Sequence, residues 1–284
     1  MLKQRVITAL VMLLILLPAM FYRSPEPFCA IALVLIAAAA WEWSRLNGYG
    51  QSASLAAGAA CGLMCIAAWW AGLLAQSLAG LWLAAGAVWV LAGAWVLHRG
   101  VSAWSDHPRV LRLLSGLLAL CLAWLAVAQA RVIGINFLLS ILVLVWVADI
   151  GAYFSGRTFG GRFSRSKLAP SISPGKSWEG VWGGMAGVIA LAFAWRWLDT
   201  AWASSVPSLY SHLSRHSGWL LLIVAIFMAA MSVVGDLFES LVKRSAGVKD
   251  SSGLLPGHGG VLDRVDALLP TLPLAMMLYS VAQL

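Results

Sequence analysis

The sequence contains few charged residues and few cysteines. Only 11% of its 284 residues are charged, whereas 61% are hydrophobic. A soluble domain is typically about half apolar and about a quarter charged. The low charge, the mean hydropathy of +0.86 and the long apolar runs therefore exclude an ordinary soluble domain. They predict an all-α polytopic integral membrane protein.

The four cysteines all fall inside apolar runs, at positions 29, 61, 65 and 121. Cys61 and Cys65 are one helical turn apart, a spacing that metal ligands can have. No His or acid near them in the sequence completes such a site. We therefore interpret them as small buried apolar residues.

Nine segments are long and apolar enough to cross a bilayer, which takes roughly 20 residues each. They are 6–22, 28–46, 53–72, 77–97, 110–130, 132–154, 179–197, 219–240 and 264–282. Because the turns between the first four spans are short, their boundaries are weakly defined, and a total of eight or ten spans is an alternative. Lys3 and Arg5 precede the first run as in a signal peptide, but no small-residue cleavage pattern follows. We expect a retained first span.

Positive charge predicts the orientation of these spans. With the N-terminus in the cytoplasm, 15 of the 19 Lys and Arg residues fall on the cytoplasmic side. The two charge-rich loops, 156–178 and 241–263, then lie on that side. We therefore expect the site to face the cytoplasm.

The acidic residues divide the chain into two regions. Glu26, Glu42 and Asp106 are the only carboxylates before Asp149, and eight lie from Asp149 onward. We predict a transmembrane scaffold of about five helices at 1–130 and a catalytic region at 131–284. Small residues in the scaffold permit close helix packing.

The run 240–266 combines cations, carboxylates and glycines between two apolar segments. Its charged residues are Lys243, Arg244, Lys249, Asp250, Asp263, Arg264 and Asp266. Gly259 and Gly260 let backbone amides approach a phosphate closely, and His258 beside them either binds a phosphate or caps a helix. This combination suits a magnesium–polyphosphate substrate.

Asp236 and Glu239 lie near the end of the eighth span, and Asp236, Ser240 and Lys243 share one helix face. A carboxylate this close to hydrocarbon must be paired or bind a cation. An ion pair with Lys243 or Arg244 is one reading. Beside Asp263 and Asp266, metal binding is the reading that we prefer.

Two other segments carry candidate binding residues. Asp149 lies within the sixth span, four residues before Tyr153 and close to Arg157. An intramembrane Asp is a functional candidate or a hydrogen-bonded packing residue. The second segment precedes the seventh span and includes Ser173, Lys176, Ser177 and Glu179. Pro170 replaces the first glycine of a Walker motif, so we expect anion binding at a helix start instead.

The cations of the loop 157–178 allow two interpretations. Arg162, Arg165 and Lys167 belong either to an ordinary positive-inside loop or to a substrate-binding surface. The density of cations favours the second.

The run from Ser240 to Asp266 resembles the signature of phosphatidate cytidylyltransferases, also called CDP-diacylglycerol synthases. Its fixed positions are met by Ser240, Lys243, Arg244, Lys249, Asp250, Pro256, His258, Gly259, Gly260, Asp263, Arg264 and Asp266. Further similarity lies at Asp149–Arg157, at Ser173–Gly180 and at Gly235–Ser240. Gly175 stands where many members carry a second Lys.

The resemblance implies that CTP and phosphatidic acid give CDP-diacylglycerol and pyrophosphate in a lipid membrane. The implied location is the cytoplasmic (inner) membrane of a bacterium, with the site facing the cytoplasm. Mg²⁺ would be the cofactor. The site would hold either one cation or two cations about 4 Å apart, and the second cation would be either divalent or monovalent. Asp236 and Asp263 would hold the metal; Asp236, Asp263, Lys243, Arg244 and Asp266 would be catalytic. The implied substrate-binding residues are Lys249, Asp250, His258, Gly259, Gly260, Arg264, Ser173, Lys176, Ser177, Glu179, Asp149, Tyr153, Arg157, Glu239 and Ser240. Nucleic acid is not an expected partner, and a homodimer is an open expectation.

Two other classes of function remain as alternatives. A related enzyme could use another lipid acceptor such as a polyprenol, although an alcohol would need a base to take its proton. A divalent-cation transporter could line a pathway with Asp149, Asp236 and Asp263. Transport predicts acids spaced across the membrane, whereas most acids here cluster at one side.

Overall fold

The computed structural model describes residues 2–164, 166–215 and 217–283, and this part of the chain is almost entirely helical. Within these described ranges, eight helices are long and apolar enough to cross a membrane. They are α1 (Leu2–Phe21), α2 (Glu26–Leu46), α3 (Gln51–Trp70), α4 (Ala79–Asp106), α5 (Arg109–Ile133), α6 (Ile135–Phe159), α7 (Trp178–Ala201) and α9 (Gly218–Ser245). The predicted all-α polytopic architecture is confirmed.

Short elements connect and follow the long helices. They are a 3-10 turn (Leu73–Ala75), α8 (Leu209–Ser214), α10 (Leu262–Val265), α11 (Leu268–Val281) and the strands β1 (Lys167–Ala169) and β2 (Ser173–Ser177). The strands pair antiparallel, with Lys167 opposite Ser177 and Ala169 opposite Ser173. This hairpin lies in the predicted 156–178 loop, and no pattern in the sequence indicated it.

The ninth predicted span, 264–282, differs most from the structure. It corresponds to the end of α10 and to α11, which has only 14 residues. Pro270 lies in the first turn of α11, where a missing amide costs little, and Pro273 lies inside the helix. The count of nine spans and the cytoplasmic N-terminus stay predictions, as does the division of the chain at residue 130.

The fourth helix extends nine residues beyond the predicted span 77–97. Hydropathy falls at His98 and Arg99, so a span defined by apolar residues ends there, but α4 continues to Asp106. Gly100 has a φ of 80° and breaks the helical geometry within α4. A polar extension of this kind lies outside what hydropathy can detect.

Helices α6 and α7 pack with their backbones in close contact. A Cβ on Gly151 would lie 2.9 Å from the Gly183 carbonyl oxygen, and one on Gly184 would lie 2.8 Å from the Ala148 carbonyl oxygen. Small residues permit this approach. The packing brings the Asp149–Arg157 segment of α6 beside the start of α7.

Helix α9 packs on a cluster of aromatic side chains. Phe238 stacks with Trp43 at a centroid distance of 5.9 Å and meets Trp89 and Trp104 edge-on at 5.6 and 5.5 Å. Such geometries add to the burial energy of the rings. These contacts fix the rotation of α9 and hence the directions of Asp236 and Glu239, which lie beside Phe238 in the sequence.

Long-range contacts place the basic connections at one end of the bundle. The Thr8 hydroxyl donates to the Pro256 carbonyl at 2.9 Å, Trp104 Nε1 donates to Asn47 Oδ1 at 3.3 Å, and Arg244 Nε donates to the Ile172 carbonyl at 3.4 Å. Glu42, near the end of α2, also accepts from the Val261 amide at 3.0 Å. The N-terminus and the connections after α2, α4, α6 and α9 therefore share one end. That end carries the residues predicted to bind substrate.

Candidate active site

A cavity of about 560 Å³ opens between α6, α7, α9 and the hairpin. Its lining comprises Ala148, Asp149, Ala152, Tyr153, Gly156, Arg157, Leu168, Gly175, Lys176, Ser177, Gly180, Val181, Val233 and Asp236. Three separate sequence motifs thus meet around one space. Six predicted site residues line it: Asp149, Tyr153, Arg157, Lys176, Ser177 and Asp236.

Asp236 and Lys176 form an ion pair across this cavity. Their side chains are 32% and 26% exposed, so neither is sealed from solvent. Ser240, one turn further along α9, donates a long hydrogen bond of 3.4 Å to Asp236 Oδ1. The carboxylate therefore keeps room for a further ligand on the cavity side.

Arg157 lines the cavity from α6 and donates to the Tyr153 hydroxyl at 2.9 Å. Its guanidinium forms no ion pair with any carboxylate among the described residues. An unneutralised guanidinium at a cavity is suited to a phosphate, which it can bind through two parallel hydrogen bonds.

Ser177 and Glu179 shape the wall of the cavity at the start of α7. The Ser177 hydroxyl caps the helix by accepting from the Gly180 amide at 3.2 Å. Buried Glu179 accepts from the amides of Phe163 at 3.1 Å and Ser164 at 2.7 Å. Glu179 therefore anchors the loop after α6, and Ser173 begins the strand that presents Lys176. Arg165 lies outside the described residues.

A second cluster lies at the end of α9, where Lys243 bridges two carboxylates. Its ammonium is 2.5 Å from Glu239 Oε2 and 2.6 Å from Asp263 Oδ1. Glu239 is fully buried, and its Oε1 accepts no hydrogen bond from the described residues. A buried carboxylate oxygen without a donor requires a further partner.

Asp263 has both carboxylate oxygens engaged. Oδ1 faces Lys243, and Oδ2 accepts from the Ser251 amide at 2.9 Å, the Ser251 hydroxyl at 2.9 Å and the Gly260 amide at 2.7 Å. Burial alone would raise the pKa of Asp263, but Lys243 and the two amides outweigh it and lower the pKa to about 2. Asp263 thus organises the loop that connects α9 with α10.

Glu42 on α2 was not predicted as a site residue, yet it holds the same loop from the other side. Its carboxylate accepts from the Val261 amide at 3.0 Å, the Leu262 amide at 2.7 Å and the hydroxyls of Ser251 and Ser252. Its side chain is completely buried. The sequence did contain an indication: Glu42 is an acid near the basic end of an apolar span, and such a carboxylate is costly unless it is paired or hydrogen-bonded.

The backbone groups of the glycine turn in this loop form hydrogen bonds with side chains of the adjoining helix α10. Gly257 and Gly259 have φ of 77° and 82°, which favour glycine. The Gly260 amide binds Asp263, and Arg264 donates to the His258 carbonyl, through Nε at 3.0 Å and also through Nη2. The predicted approach of these amides to CTP stays untested.

The remaining predicted residues surround these two clusters. Arg244 donates to the carbonyls of Ile172 and Val248, which connects α9 to the hairpin. Lys249 and Asp250 are exposed in the loop. Asp266 accepts from the Ala267 amide at 2.8 Å.

Comparisons with known proteins identify the family of the chain. A profile of the cytidylyltransferase family matches residues 3–282. The chain is 42% identical to the phosphatidate cytidylyltransferase of Pseudomonas aeruginosa over 99% of this chain and 98% of that protein. It is 38% identical to the protein of that name from Haemophilus influenzae, over 98% of this chain and 99% of the relative.

A third relative matches only part of the chain. The phosphatidate cytidylyltransferase of Brucella suis is 42% identical over 146 residues, which cover 51% of this chain and 46% of that protein. Because the family profile and two relatives each extend over nearly the whole sequence, the chain belongs to the cytidylyltransferase family.

Proposed function

We propose that this protein transfers the cytidylyl group of CTP to phosphatidic acid and so makes CDP-diacylglycerol for phospholipid synthesis. An oxygen of the lipid phosphate bonds to the α-phosphorus of CTP, and the bond from that phosphorus to the bridging oxygen breaks. Pyrophosphate leaves with the bonding electrons. The single observation that carries the proposal is the cavity at which three motifs of a cytidylyltransferase meet.

The cations of the cavity address the main barrier to this reaction. Both substrates are polyanions, and their phosphates repel one another as they approach. Lys176 on β2 and Arg157 on α6 both line the cavity, so they can bind phosphates of the two substrates at once. Such positioning converts an encounter between two anions into a reaction within one complex.

The acceptor needs no strong general base. A phosphate monoester is already anionic near pH 7, so its oxygen can attack without losing a proton. The described cavity lining offers two acids, Asp149 and Asp236, and no histidine. An alcohol acceptor would need one of these acids as its base, which makes phosphatidate the better match to the lining.

The carboxylates of the site fit a hard cation to different degrees. Asp236 is partly exposed at the cavity, Asp149 lines the same space, and oxygen ligands of this kind suit Mg²⁺. Both oxygens of Asp263 already have protein partners, so Asp263 could bind a cation only after releasing one of them. On Oδ1 that partner is Lys243. We keep Asp236 and Asp263 as the proposed metal pair and add Asp149 as a candidate ligand. A bound Mg²⁺ would neutralise phosphate charge.

The same proposal includes the setting of the site. The long apolar helices suit a multi-pass membrane protein, and the positive-inside rule would place the basic end in the cytoplasm, where CTP is available. The bacterial relatives are consistent with the cytoplasmic membrane. The proposal also includes a homodimer, and the mass of the detergent-solubilised protein would determine the number of chains in the assembly.

Radiolabelled CTP distinguishes the proposed reaction from its alternatives. The protein in detergent micelles with Mg²⁺ should move label from α-labelled CTP into the lipid phase only when phosphatidic acid is present. Transfer to a polyprenol or polyprenyl phosphate, but not to phosphatidic acid, would replace the acceptor. No transfer to any lipid, together with Mg²⁺ flux into proteoliposomes without CTP, would replace the enzyme with a transporter.

A further inference from the structure

A second space in the bundle, the apolar groove, lies between α4 and α5. It has a volume of about 320 Å³, and Phe238 is the residue of α9 in its described lining. The cavity described above is lined instead by Val233 and Asp236 of the same helix. The groove and the cavity are therefore separate spaces on different faces of α9, and a molecule in the groove leaves the proposed reaction site free.

The lining of the groove suits a hydrocarbon chain. Ser115 carries the only hydroxyl group in the described lining, and that hydroxyl donates to the Arg112 carbonyl at 2.9 Å. Val88 on α4 and Leu118 on α5 line the groove and are exposed, and both helices are long enough to cross a membrane. The groove therefore opens sideways towards lipid, and its volume lies within the range of about 300–1,000 Å³ that ligand pockets have.

Two arginines lie at the basic end of the groove. Arg112 precedes the lining residues Ser115 and Gly116 by one helical turn, so it continues the same face of α5. Arg109, one turn further, begins the helix. The Arg109 guanidinium carbon lies 3.7 Å from the place that a Cβ on Gly48 would take, so it lies against the turn after α2. The apolar groove thus leads to two guanidinium groups.

These guanidinium groups have unused capacity to bind an anion. Neither Arg109 nor Arg112 forms an ion pair with a carboxylate among the described residues. Arg112 Nε is buried and has no hydrogen-bond partner in that part of the chain. A buried donor without a partner is rare in proteins and calls for a further ligand. A phosphate is a good match, because a guanidinium can bind it through two parallel hydrogen bonds.

We propose that the groove binds one anionic phospholipid, with its phosphate on Arg109 and Arg112 and a hydrocarbon chain between α4 and α5. The groove offers an apolar channel and then a cationic end, which is the order in which a lipid presents its chain and its headgroup. A free phosphate would leave the apolar channel unused. Basic pockets at the ends of membrane helices are suited to anionic headgroups. This lipid is a bound partner and not the proposed acceptor, because α9 separates it from the cavity.

Native mass spectrometry of the delipidated protein in detergent tests the site. The probe is dioleoyl phosphatidylglycerol, which is anionic but lacks the phosphate monoester of the proposed acceptor. One equivalent should bind to wild type. Dioleoyl phosphatidylcholine, with the same chains and no net charge, should bind at least about fivefold more weakly. Equal binding of the two lipids, or displacement of phosphatidylglycerol by inorganic phosphate, would overturn the proposal.

Arg112→Gln separates this site from general surface charge. It should weaken phosphatidylglycerol binding by about fivefold and leave phosphatidylcholine binding unchanged. Arg99→Gln is the matched control, because Arg99 is an exposed cation on α4 that lies over the Trp95 ring, outside the groove lining. Equal weakening in both variants would show attraction to the whole basic end and would contradict a defined site.

Ala92→Phe tests the position of the hydrocarbon chain. Ala92 is exposed and lines the groove, so a phenyl ring there should fill the channel and reduce phosphatidylglycerol binding. Ala87→Phe, at an exposed position of α4 outside the lining, should bind like wild type. Equal lipid binding by the two variants would overturn the proposal, and a changed number of chains in the Ala92→Phe particle would then indicate a protein interface. The comparison of headgroups uses wild type alone, so it decides the case in which a variant fails to fold.

Discussion

Asp236 and Asp263 lie near the same end of α9, yet their surroundings differ in kind. Asp236 faces a cavity, is about one-third exposed and has Lys176 and a long contact to Ser240 as partners. Asp263 is 7% exposed and accepts from three protein donors besides Lys243. A carboxylate with spare coordination can bind a substrate or a cation directly, whereas a fully engaged one must first release a protein partner.

The same contrast separates Glu42 from Asp149. Glu42 has four protein donors around its carboxylate and fixes the loop from Ser251 to Leu262. Asp149 lines the cavity. The predicted site is therefore two connected units, an open cavity and a rigid loop, with α9 between them. Each prediction below separates the two units.

The largest effect is expected at Asp236. Asp236→Asn keeps the shape but removes the charge, so phosphatidate-dependent pyrophosphate release should fall by about 10²–10³-fold, or ~2.7–4 kcal/mol, with normal folding. Asp106→Asn is the control, because Asp106 is exposed at the end of α4, outside the cavity. Full activity in Asp236→Asn would contradict the proposal that Asp236, unlike Asp263, has a free carboxylate that acts in the reaction.

Glu42→Gln should destabilise the loop rather than the chemistry. Hydrogen bonds to a charged acceptor contribute more than neutral ones, so the loss should be about 2–3 kcal/mol. Hydrogen exchange across 251–262 should rise, and the thermal midpoint should fall. Glu26→Gln, an exposed site on the same helix, should change neither. Unchanged exchange in Glu42→Gln would show that the loop does not depend on α2.

Gly260→Ala tests the tightness of the rigid loop. A Cβ at this position would collide with the Ser251 hydroxyl and the Glu42 carboxylate. Overpacking of this kind costs about 1–3 kcal/mol, read from thermal unfolding. Gly253→Ala in the same loop has nothing within 4 Å of its Cβ and should unfold like wild type. Equal thermal midpoints for the two variants would indicate that the loop shifts to accommodate the added Cβ at position 260.

The smallest effect is expected at Lys176. Lys176→Gln should raise the KM for CTP by about tenfold, or ~1.4 kcal/mol, because one partly exposed phosphate contact is lost while Arg157 remains at the cavity. Steady-state kinetics measure this change. Arg99→Gln, which alters an exposed cation on α4 outside the cavity lining, should keep the wild-type KM. An unchanged KM in Lys176→Gln would place CTP elsewhere.

Hydropathy predicted most helices because a bilayer imposes one rule on every span. The span 110–130 became Arg109–Ile133, and 219–240 became Gly218–Ser245. The rule fails where a helix continues into polar sequence, as α4 does, or where a short helix packs on protein, as α11 does. The β-hairpin escaped prediction because its strands have three and five residues.

Candidate site residues could be chosen from the sequence by their chemistry, but their arrangement could not be predicted. Asp149, Lys176 and Asp236 were identified separately, and only the close packing of α6 on α7 brings them to one cavity. The engagement of Asp263 by Ser251 and Gly260 depends on a loop conformation that spacing does not encode. Glu42 is more than 200 residues from its partners, so a local pattern could not connect them.

The central claim is that CTP binds in the cavity between α6, α7 and α9, and cysteine protection tests it most directly. Ala152→Cys places a thiol in the cavity lining, and Gly253→Cys places one on the exposed loop. A charged maleimide should label both, and CTP with Mg²⁺ should slow labelling at 152 but not at 253, as read by mass spectrometry. Protection at 253 with none at 152 would contradict the account.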